Sequence, residues 1–311
     1  MDIRLVERED IEEAKWNGCV HYANNSKIYG YTWYLDNVAE HWCGLVEGDY
    51  QSVFPLVWNQ KIFGIKQLYQ PLLCQQLGLF SVHVRSKKRI EAFLEAIPSD
   101  FKYIDIHLND RNYNIKKIEE LDLVEKPNYV LNLNKPYEIL SKSYSSNVKR
   151  NIKKAEKSNL FLSTNITPEK LVAEVKKSQE AKGNNMPDQL FHTAHRIIYN
   201  CLHRGLGGMH VVTDKDDDSI LHAAIFFMYS GGNVMINLLN VTTEAGRKSG
   251  AMHYLLDYII KINANKRKLI DFEGSSIAGI ARFYESFGAE NVPYYHLKQN
   301  RLPWWIRWKK K

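Results

Sequence analysis

Val234-Met235-Ile236-Asn237-Leu238-Leu239-Asn240-Val241 is a mostly apolar run with the length of one buried strand. The turn Thr242-Thr243-Glu244-Ala245-Gly246 follows it, and then Arg247-Lys248-Ser249-Gly250-Ala251-Met252. From Met252 the apolar residues recur at helical spacing, at Leu255, Leu256, Ile259, Ile260 and Ile262. Asn263-Ala264-Asn265 breaks that helix, and Leu269-Ile270-Asp271-Phe272-Glu273-Gly274 reads as a second short strand. Gly279-Ile280-Ala281-Arg282-Phe283-Tyr284-Glu285-Ser286-Phe287-Gly288 reads as a short helix closed by a glycine of the C-cap kind.

A basic, glycine-containing loop therefore stands between a buried strand and the helix after it. Unpaired N–H groups and the positive end of the helix dipole make such a junction an anion site. Gly250 would let a ligand approach the backbone, and Arg247 and Lys248 add two cationic side chains. An ordinary solvent-facing turn uses the same residue types, so the loop by itself leaves both readings open.

Arg247-Lys248-Ser249-Gly250-Ala251-Met252 resembles the pyrophosphate loop of the GNAT acyltransferase superfamily, Q/R-x-x-G-x-G/A. It matches the first Arg and the first Gly, and has Met252 where a second small residue is expected. Phe283-Tyr284-Glu285-Ser286-Phe287-Gly288 is similar to the F-Y-x-x-x-G-F helix that carries the general-acid tyrosine of many GNAT enzymes, with Ala289 in place of the last Phe. Asp271-Phe272-Glu273-Gly274-Ser275, followed by Ala281-Arg282-Phe283-Tyr284, most resembles the FemABX-like group, relatives of peptidoglycan-bridge aminoacyltransferases with two GNAT-like domains in one chain. The resemblance spans residues 234–288.

The resemblance implies an α/β fold of tandem GNAT-like domains, each a mixed sheet flanked by helices. It implies transfer of an acyl or aminoacyl group, from acyl-CoA or aminoacyl-tRNA, to an amine or hydroxyl of a cell-envelope or small-molecule acceptor. Tyr284 would be the general acid, and Arg247, Lys248, Ser249, Gly250 and Ala251 would hold the donor's phosphates. Glu273 would bind or deprotonate the amine, or else cap the segment after it. The donor is a substrate, and no permanently bound cofactor is expected. A protein that kept this fold and only binds an anionic polymer or lipid is the alternative.

The chain has 311 residues, comfortable for two domains. Its composition is ordinary for a globular protein, 44% hydrophobic and 25% charged. The balance of 42 Lys and Arg against 35 Asp and Glu leaves +7, compatible with an anionic donor, tRNA or a lipid head group, and equally with a basic solvated surface. Cys19, Cys43, Cys74 and Cys201 show no C-x-x-C pairing, which points to reduced structural thiols in the cytoplasm. The start, Met1 to Asp10, is too charged for a signal peptide, and no apolar run approaches a membrane span. The 11 histidines show no zinc-like spacing, so no metal is expected.

Earlier in the chain, Leu5 to Trp16 can form a helix and Tyr31 to Asp36 can open a second. Two apolar runs, His41 to Glu47 and Gln51 to Trp58, flank Gly48-Asp49 as a hairpin. Lys66 to Phe80 sets Gln67, Gln70, Gln75 and Gln76 among apolar residues; such amides line a groove or satisfy backbone groups, and Gln67 and Gln70 are the candidates for acceptor binding. Ser86 to Ile97 reads as a helix, Tyr103 to Leu108 as a strand with a structural His107, and Lys116 to Leu121 and Tyr129 to Leu133 as the completion of a first unit. Asn134-Lys135-Pro136 marks the expected boundary, giving an N-terminal domain over 1–135 and a C-terminal domain over 136–311.

Ser141 to Ser158 reads as one basic helix with an apolar stripe of Val148, Ile152 and Ala155. Its Lys149-Arg150-Asn151-Ile152-Lys153-Lys154-Ala155 resembles the basic helix that opens the second domain of FemABX-like proteins. Lys149 and Arg150 are candidates for acceptor or phosphate binding, with a solvated face as the plain alternative. Helices over Pro168 to Lys182 and Asp188 to His203 lead to strands at Met209 to Thr213 and Ile220 to Met228. At the end, Trp304, Trp305 and Trp308 with four cations suit peripheral contact at the inner face of a membrane, or packing of the Trp rings on the domain.

Overall fold

The computed structural model describes residues 1–62, 64–84, 86–109, 122–274 and 277–305. It is a mixed α/β chain in two compact units: Met1–Pro127 together with the residues from Val292, and Asn128–Asn291. Each unit is built on one mixed sheet.

The first unit opens with β1 (Ile3–Glu7), which pairs antiparallel with β2 (His41–Glu47). This departs from the helix expected over Leu5 to Trp16: α1 begins only at Glu13 (Glu13–Tyr22). Tertiary pairing overrides local pattern here, because β2 is almost wholly buried and offers β1 a continuous ladder. After α2 (Thr32–Val38) come β2 and β3 (Ser52–Ile62), the expected hairpin, closed with Glu47 opposite Ser52. Then follow β4 (Ile65–Tyr69), β5 (Phe80–Ser81), α3 (Lys87–Glu95, N-capped by Ser86), β6 (Tyr103–Leu108) and β7 (Leu123–Lys126). The helix expected over Lys116 to Leu121 lies outside the described residues.

The second unit runs β8 (Tyr129–Asn132), α4 (Tyr137–Lys142), α5 (Ser146–Glu156), β9 (Leu160–Ser163), α6 (Pro168–Glu180) and α7 (Asp188–His203). It continues with β10 (Gly207–Asp214), β11 (Leu221–Ser230), β12 (Val234–Thr242), α8 (Glu244–Ser249), α9 (Ala251–Asn263), β13 (Leu269–Asp271), α10 (Ala278–Glu285) and β14 (Glu290–Asn291). The expected single basic helix is two helices, because the Ser145 hydroxyl accepts from Val148 N–H and starts α5 anew.

The chain then returns: β15 (Tyr294–Asn300) lies between β6 and β7, antiparallel to both. The first sheet has the order β1-β2-β3-β4-β6-β15-β7, and the second, read from its far edge, β9-β10-β11-β12-β13-β8-β14. The two orders are the same pattern, with one parallel pair in each, β4 with β6 and β12 with β13. The slot beside the last strand is filled by exchange. β8, which follows β7 in sequence, completes the second sheet, and β15, which follows β14, completes the first.

This exchange is why the chain divides differently from the expected cut at 135/136. Tyr129 to Leu133 was expected to complete the first unit, but β8 pairs with β13 and β14, and Pro136 merely precedes α4. Buried Phe54, Leu56, Leu68, Phe93 and Ile104 centre the first core, and Leu131, Phe227, Leu255, Ile259 and Phe287 the second. Among the described residues no helix is long and apolar enough to cross a membrane.

Candidate functional site

In the second unit, β12 and β13 pair only where Val234, Met235 and Ile236 face Leu269, Ile270 and Asp271. β13 then stops, while β12 runs on to Thr242, so the two parallel strands part. On its other edge β12 remains paired with β11, with a bulge: Phe226 faces Leu239 and Phe227 faces Asn237, leaving Leu238 out of register. A cavity of about 580 Å³ opens at the split. Its walls are β12 from Asn237 to Thr242, the end of α6 with Lys182, Arg247 of α8, Met252, His253 and Leu256 of α9, and Ile280, Phe283 and Tyr284 of α10.

Tyr284 is held by its neighbours. Its ring stacks on Phe272 with centroids 4.3 Å apart and planes 13° apart. Its hydroxyl accepts from Asn237 Nδ2 at 3.4 Å, and Asn240 Nδ2 donates to Asn237 Oδ1 at 3.3 Å. Burial pushes the phenol up to about 12; the Asn240 amide opposes that shift and the charge of Glu273 adds to it. At neutral pH the hydroxyl keeps its proton and can donate it.

Glu273 closes β13 in a left-handed conformation, φ 57°. Its N–H donates to Asp271 Oδ1 at 3.0 Å, and its carbonyl accepts from Tyr129 N–H at 3.4 Å. The residue is half-buried at the turn and influences Tyr284 through its charge, but it does not line the cavity. Ser275, quoted with it above, lies outside the described residues.

The segment expected as a loop is mostly helix. Thr243 caps α8 by accepting from Gly246 N–H, so Arg247, Lys248 and Ser249 form its last turn. Gly250 is left-handed at φ 79° and joins α8 to α9. A Cβ there would stand 2.7 Å from the Asn151 carbonyl of α5, so the missing side chain admits a helix and not a ligand. Lys248 Nζ pairs with Glu244 at 2.7 Å, the Ser249 hydroxyl donates to the Gly246 carbonyl, and Ala251 is fully buried. Arg247 donates to the Thr242 carbonyl at 2.9 Å and lines the cavity. α9 has no side-chain cap, and Met252 and His253 of its first turn stand in the cavity wall.

The remaining candidates lie elsewhere. Gln67 and Gln70 are in the first unit, on a hollow of about 340 Å³ shared with Asn59, Tyr69, Tyr103 and Asp105. Gln67 donates to Asn59 Oδ1 at 2.5 Å. Gln70 donates to the Cys74 carbonyl at 2.5 Å and accepts from His107 N–H at 2.9 Å. Both amides serve internal bonds. Lys149 and Arg150 join Lys153, Lys154 and Lys157 on a shallow surface hollow of α5, apart from the cavity. Trp304 and Trp305 are exposed, at 85% and 55%, and Trp308 lies outside the described residues. Among the described residues no group of three or more His, Cys, Asp and Glu side chains could hold a metal ion.

Sequence reasoning missed Asn237, Asn240, Lys182 and His253. The signal for the first two was present, as two amides inside an otherwise apolar strand. Nothing local marks Lys182 or His253, which reach the cavity only through the packing of α6 and α9.

No family model and no curated protein matches this chain. Solved structures do. The chain is similar to the crystal structure of FemX over 97% of its length and 98% of that chain, with 12% identity and a TM-score of 0.68. A tandem GNAT protein from the clavulanic acid biosynthesis pathway aligns over 97% and 99% of the two chains, at 11% identity and a TM-score of 0.57. L-PGS from Bacillus licheniformis aligns over 94% and 93%, at 9% identity and a TM-score of 0.54. The fold is that of the tandem GNAT proteins, as the motifs in residues 234–288 led one to expect.

Proposed function

We propose that this chain is a transferase whose second unit moves an acyl or aminoacyl group from an activated donor, acyl-CoA or aminoacyl-tRNA, to an amine or hydroxyl acceptor. The observation that carries the reading is the buried, protonated Tyr284 phenol at the split of two parallel strands, in a cavity with Arg247 and Lys182 in its walls. Acyl transfer needs two things of a protein: stabilisation of the developing oxyanion and a proton for the leaving group. The unpaired edge of β12 and its bulge at Leu238 supply backbone donors for an extended donor chain and for the oxyanion. Tyr284 supplies the proton, and Arg247, Lys182 and the start of α9 hold the donor's phosphates. Met252, Leu256 and Ile280 give the acyl chain an apolar wall. The donor enters and leaves as a substrate, and no resident cofactor is needed.

We place the protein in the cytoplasm, with FemX and L-PGS as the motive for an acceptor from the cell envelope. Exposed Trp304 and Trp305 would serve peripheral contact at the membrane's inner face. The second reading, a silent protein binding an anionic polymer or lipid, is favoured by the four cations of α5 and Lys157 just after it, which no acidic side chain pairs among the described residues.

A thermal-shift screen against acetyl-CoA, longer acyl-CoAs and aminoacyl-tRNA identifies the donor, and Tyr284→Phe then tests the reading. The substitution removes one oxygen and keeps the stack on Phe272. Turnover should fall about 100- to 10,000-fold with donor affinity nearly unchanged. Turnover within about threefold of wild type, roughly 0.7 kcal/mol of barrier, would make Tyr284 structural. Failure of every donor to bind would leave the binding-protein reading.

A further inference from the structure

His253 stands in the first turn of α9, in the cavity wall. Its ring lies against Phe283, centroids 5.0 Å apart and planes 78° apart, and against Phe287 at 5.9 Å and 29°. Within this aromatic clamp Nε2 is buried and has no hydrogen-bond partner among the described residues. Nδ1 is not buried in this way, and it too makes no hydrogen bond among them.

A neutral imidazole carries one N–H and one lone pair. With the proton on the buried Nε2, the lone pair falls on Nδ1, the nitrogen that is not buried. Burial lowers the pKa of the ring and keeps it neutral at neutral pH, with no charged neighbour contributing to the shift. The titratable groups in the same walls are Tyr284 of α10, Arg247 of α8 and Lys182 beyond α6.

We propose that His253 presents Nδ1 to the cavity as its proton acceptor and, in the transfer reaction put forward above, on which this second part rests, takes the proton from the attacking acceptor. A neutral amine forms the new N–C bond, and its surplus proton passes to His253 Nδ1. The C–S or C–O bond to the leaving group breaks with its electron pair, and the leaving group takes the Tyr284 proton. His253 ends as imidazolium and Tyr284 as phenolate; one proton returns between them through solvent, and the cycle closes without a further reactant.

Two measurements on the full chain test this. NMR of isotope-labelled histidine should show His253 neutral at neutral pH with its proton on Nε2. A proton on Nδ1, or an imidazolium, overturns the proposal whatever the reaction is. Single-turnover transfer from the donor found by the screen to glycinamide, a surrogate amine, then compares wild type with two variants. His253→Phe keeps an aromatic ring in the clamp, and His253→Asn keeps an acceptor atom near Nδ1 but no basic nitrogen. Both should slow transfer at least about 100-fold with donor affinity unchanged, and both should lose the acid limb of the pH–rate profile. That limb lies below the ordinary histidine value, because the lowered pKa leaves the ring protonated only in more acidic solution. Rates within about threefold and an unmoved acid limb overturn the proton-acceptor role. An Nε2-protonated ring in a protein that transfers from none of the donors sinks the transferase reading instead.

Discussion

The two units repeat one strand order and treat its parallel pair in opposite ways. In the second, β12 outruns β13 and leaves an open split. In the first, β4 ends at Tyr69 and the chain turns back into the gap beside β6. Gln70 Oε1 accepts from His107 N–H, Leu77 N–H donates to the His107 carbonyl, and Leu77 bridges Leu108 in parallel. The edge of β6 is thus satisfied by the chain itself, whereas β12 beyond Ile236 borders the open cavity. A duplicated fold can keep its architecture with one half filled and the other open. What differs is where the chain goes after the fourth strand of the pattern.

The largest effect should come from the strand exchange on which both sheets depend. Ending the chain after Asn291 removes β15, an interior strand of the first sheet between β6 and β7. Leu297 and Tyr295 leave the first core with it. The first unit should then lose cooperative unfolding and well-dispersed amide resonances, while the second keeps its own sheet. Recovery of a folded first sheet, with β8 turned back to the vacant slot, would show that the two slots are interchangeable and break the comparison.

Next in size is the junction of α8 and α9, which has no counterpart among the described residues of the first unit. Gly250→Ala imposes a Cβ at φ 79° and 2.7 Å from the Asn151 carbonyl. Strain at a left-handed position costs about 1–3 kcal/mol, and the displaced α5 adds to it. Thermal unfolding measures the loss. Unchanged stability would mean that Gly250 is not there for packing, and would restore the reading in which a ligand approaches it.

Paired amide substitutions sharpen the contrast between filled and open splits. Gln70→Leu leaves the His107 N–H without its acceptor, which should cost about 1–3 kcal/mol in denaturant unfolding. Asn240→Leu, at an exposed residue in the wall of the second split, removes a donor to Asn237 Oδ1 that water in the cavity can replace, so it should change stability by less than about 0.5 kcal/mol and act instead on donor binding and turnover. Equal stability losses would make the second split as structural as the first.

The sequence made part of this legible, for physical reasons. The stretch from Val234 to Gly288 carries strong local periodicity, and its strands and helices lie where that periodicity puts them. The start of α8 is hidden because Thr243 caps a helix one turn before the basic residues, in a stretch whose composition reads as a loop. The domain division was hidden for another reason. Whether β8 completes the first sheet or the second depends on pairing with residues far along the chain, and nothing local in Tyr129 to Leu133 encodes the choice. The Gln-rich stretch stands out in the sequence, but satisfaction of β6 and lining of a groove leave the same mark there.

The smallest effect concerns the charges that the two units hold in place. Tyr284 in the second unit is kept protonated, pushed up to about 12 by burial. Asp105 in the first is held in the opposite sense: Nε2 of His296 lies 2.7 Å from Oδ1 and the Tyr103 hydroxyl donates to Oδ2 at 3.0 Å, so its pKa falls below 3.8. A carboxyl group whose pKa is lower folded than unfolded stabilises the fold above its unfolded value, and that contribution is lost as pH falls through the folded value. His296 belongs to β15, so the hydrogen bond also fastens the exchanged strand to β6. With the Asp105 side chain 36% exposed, solvent screening keeps the contribution below about 1 kcal/mol. Asp105→Asn should therefore be slightly less stable than wild type in urea at neutral pH. The gap should close as the solution is acidified from about 4 downward, because only the wild type has a charge to lose. A gap that stays constant into acid would mean that the hydrogen-bond geometry, and not the ionised carboxylate, fastens β15.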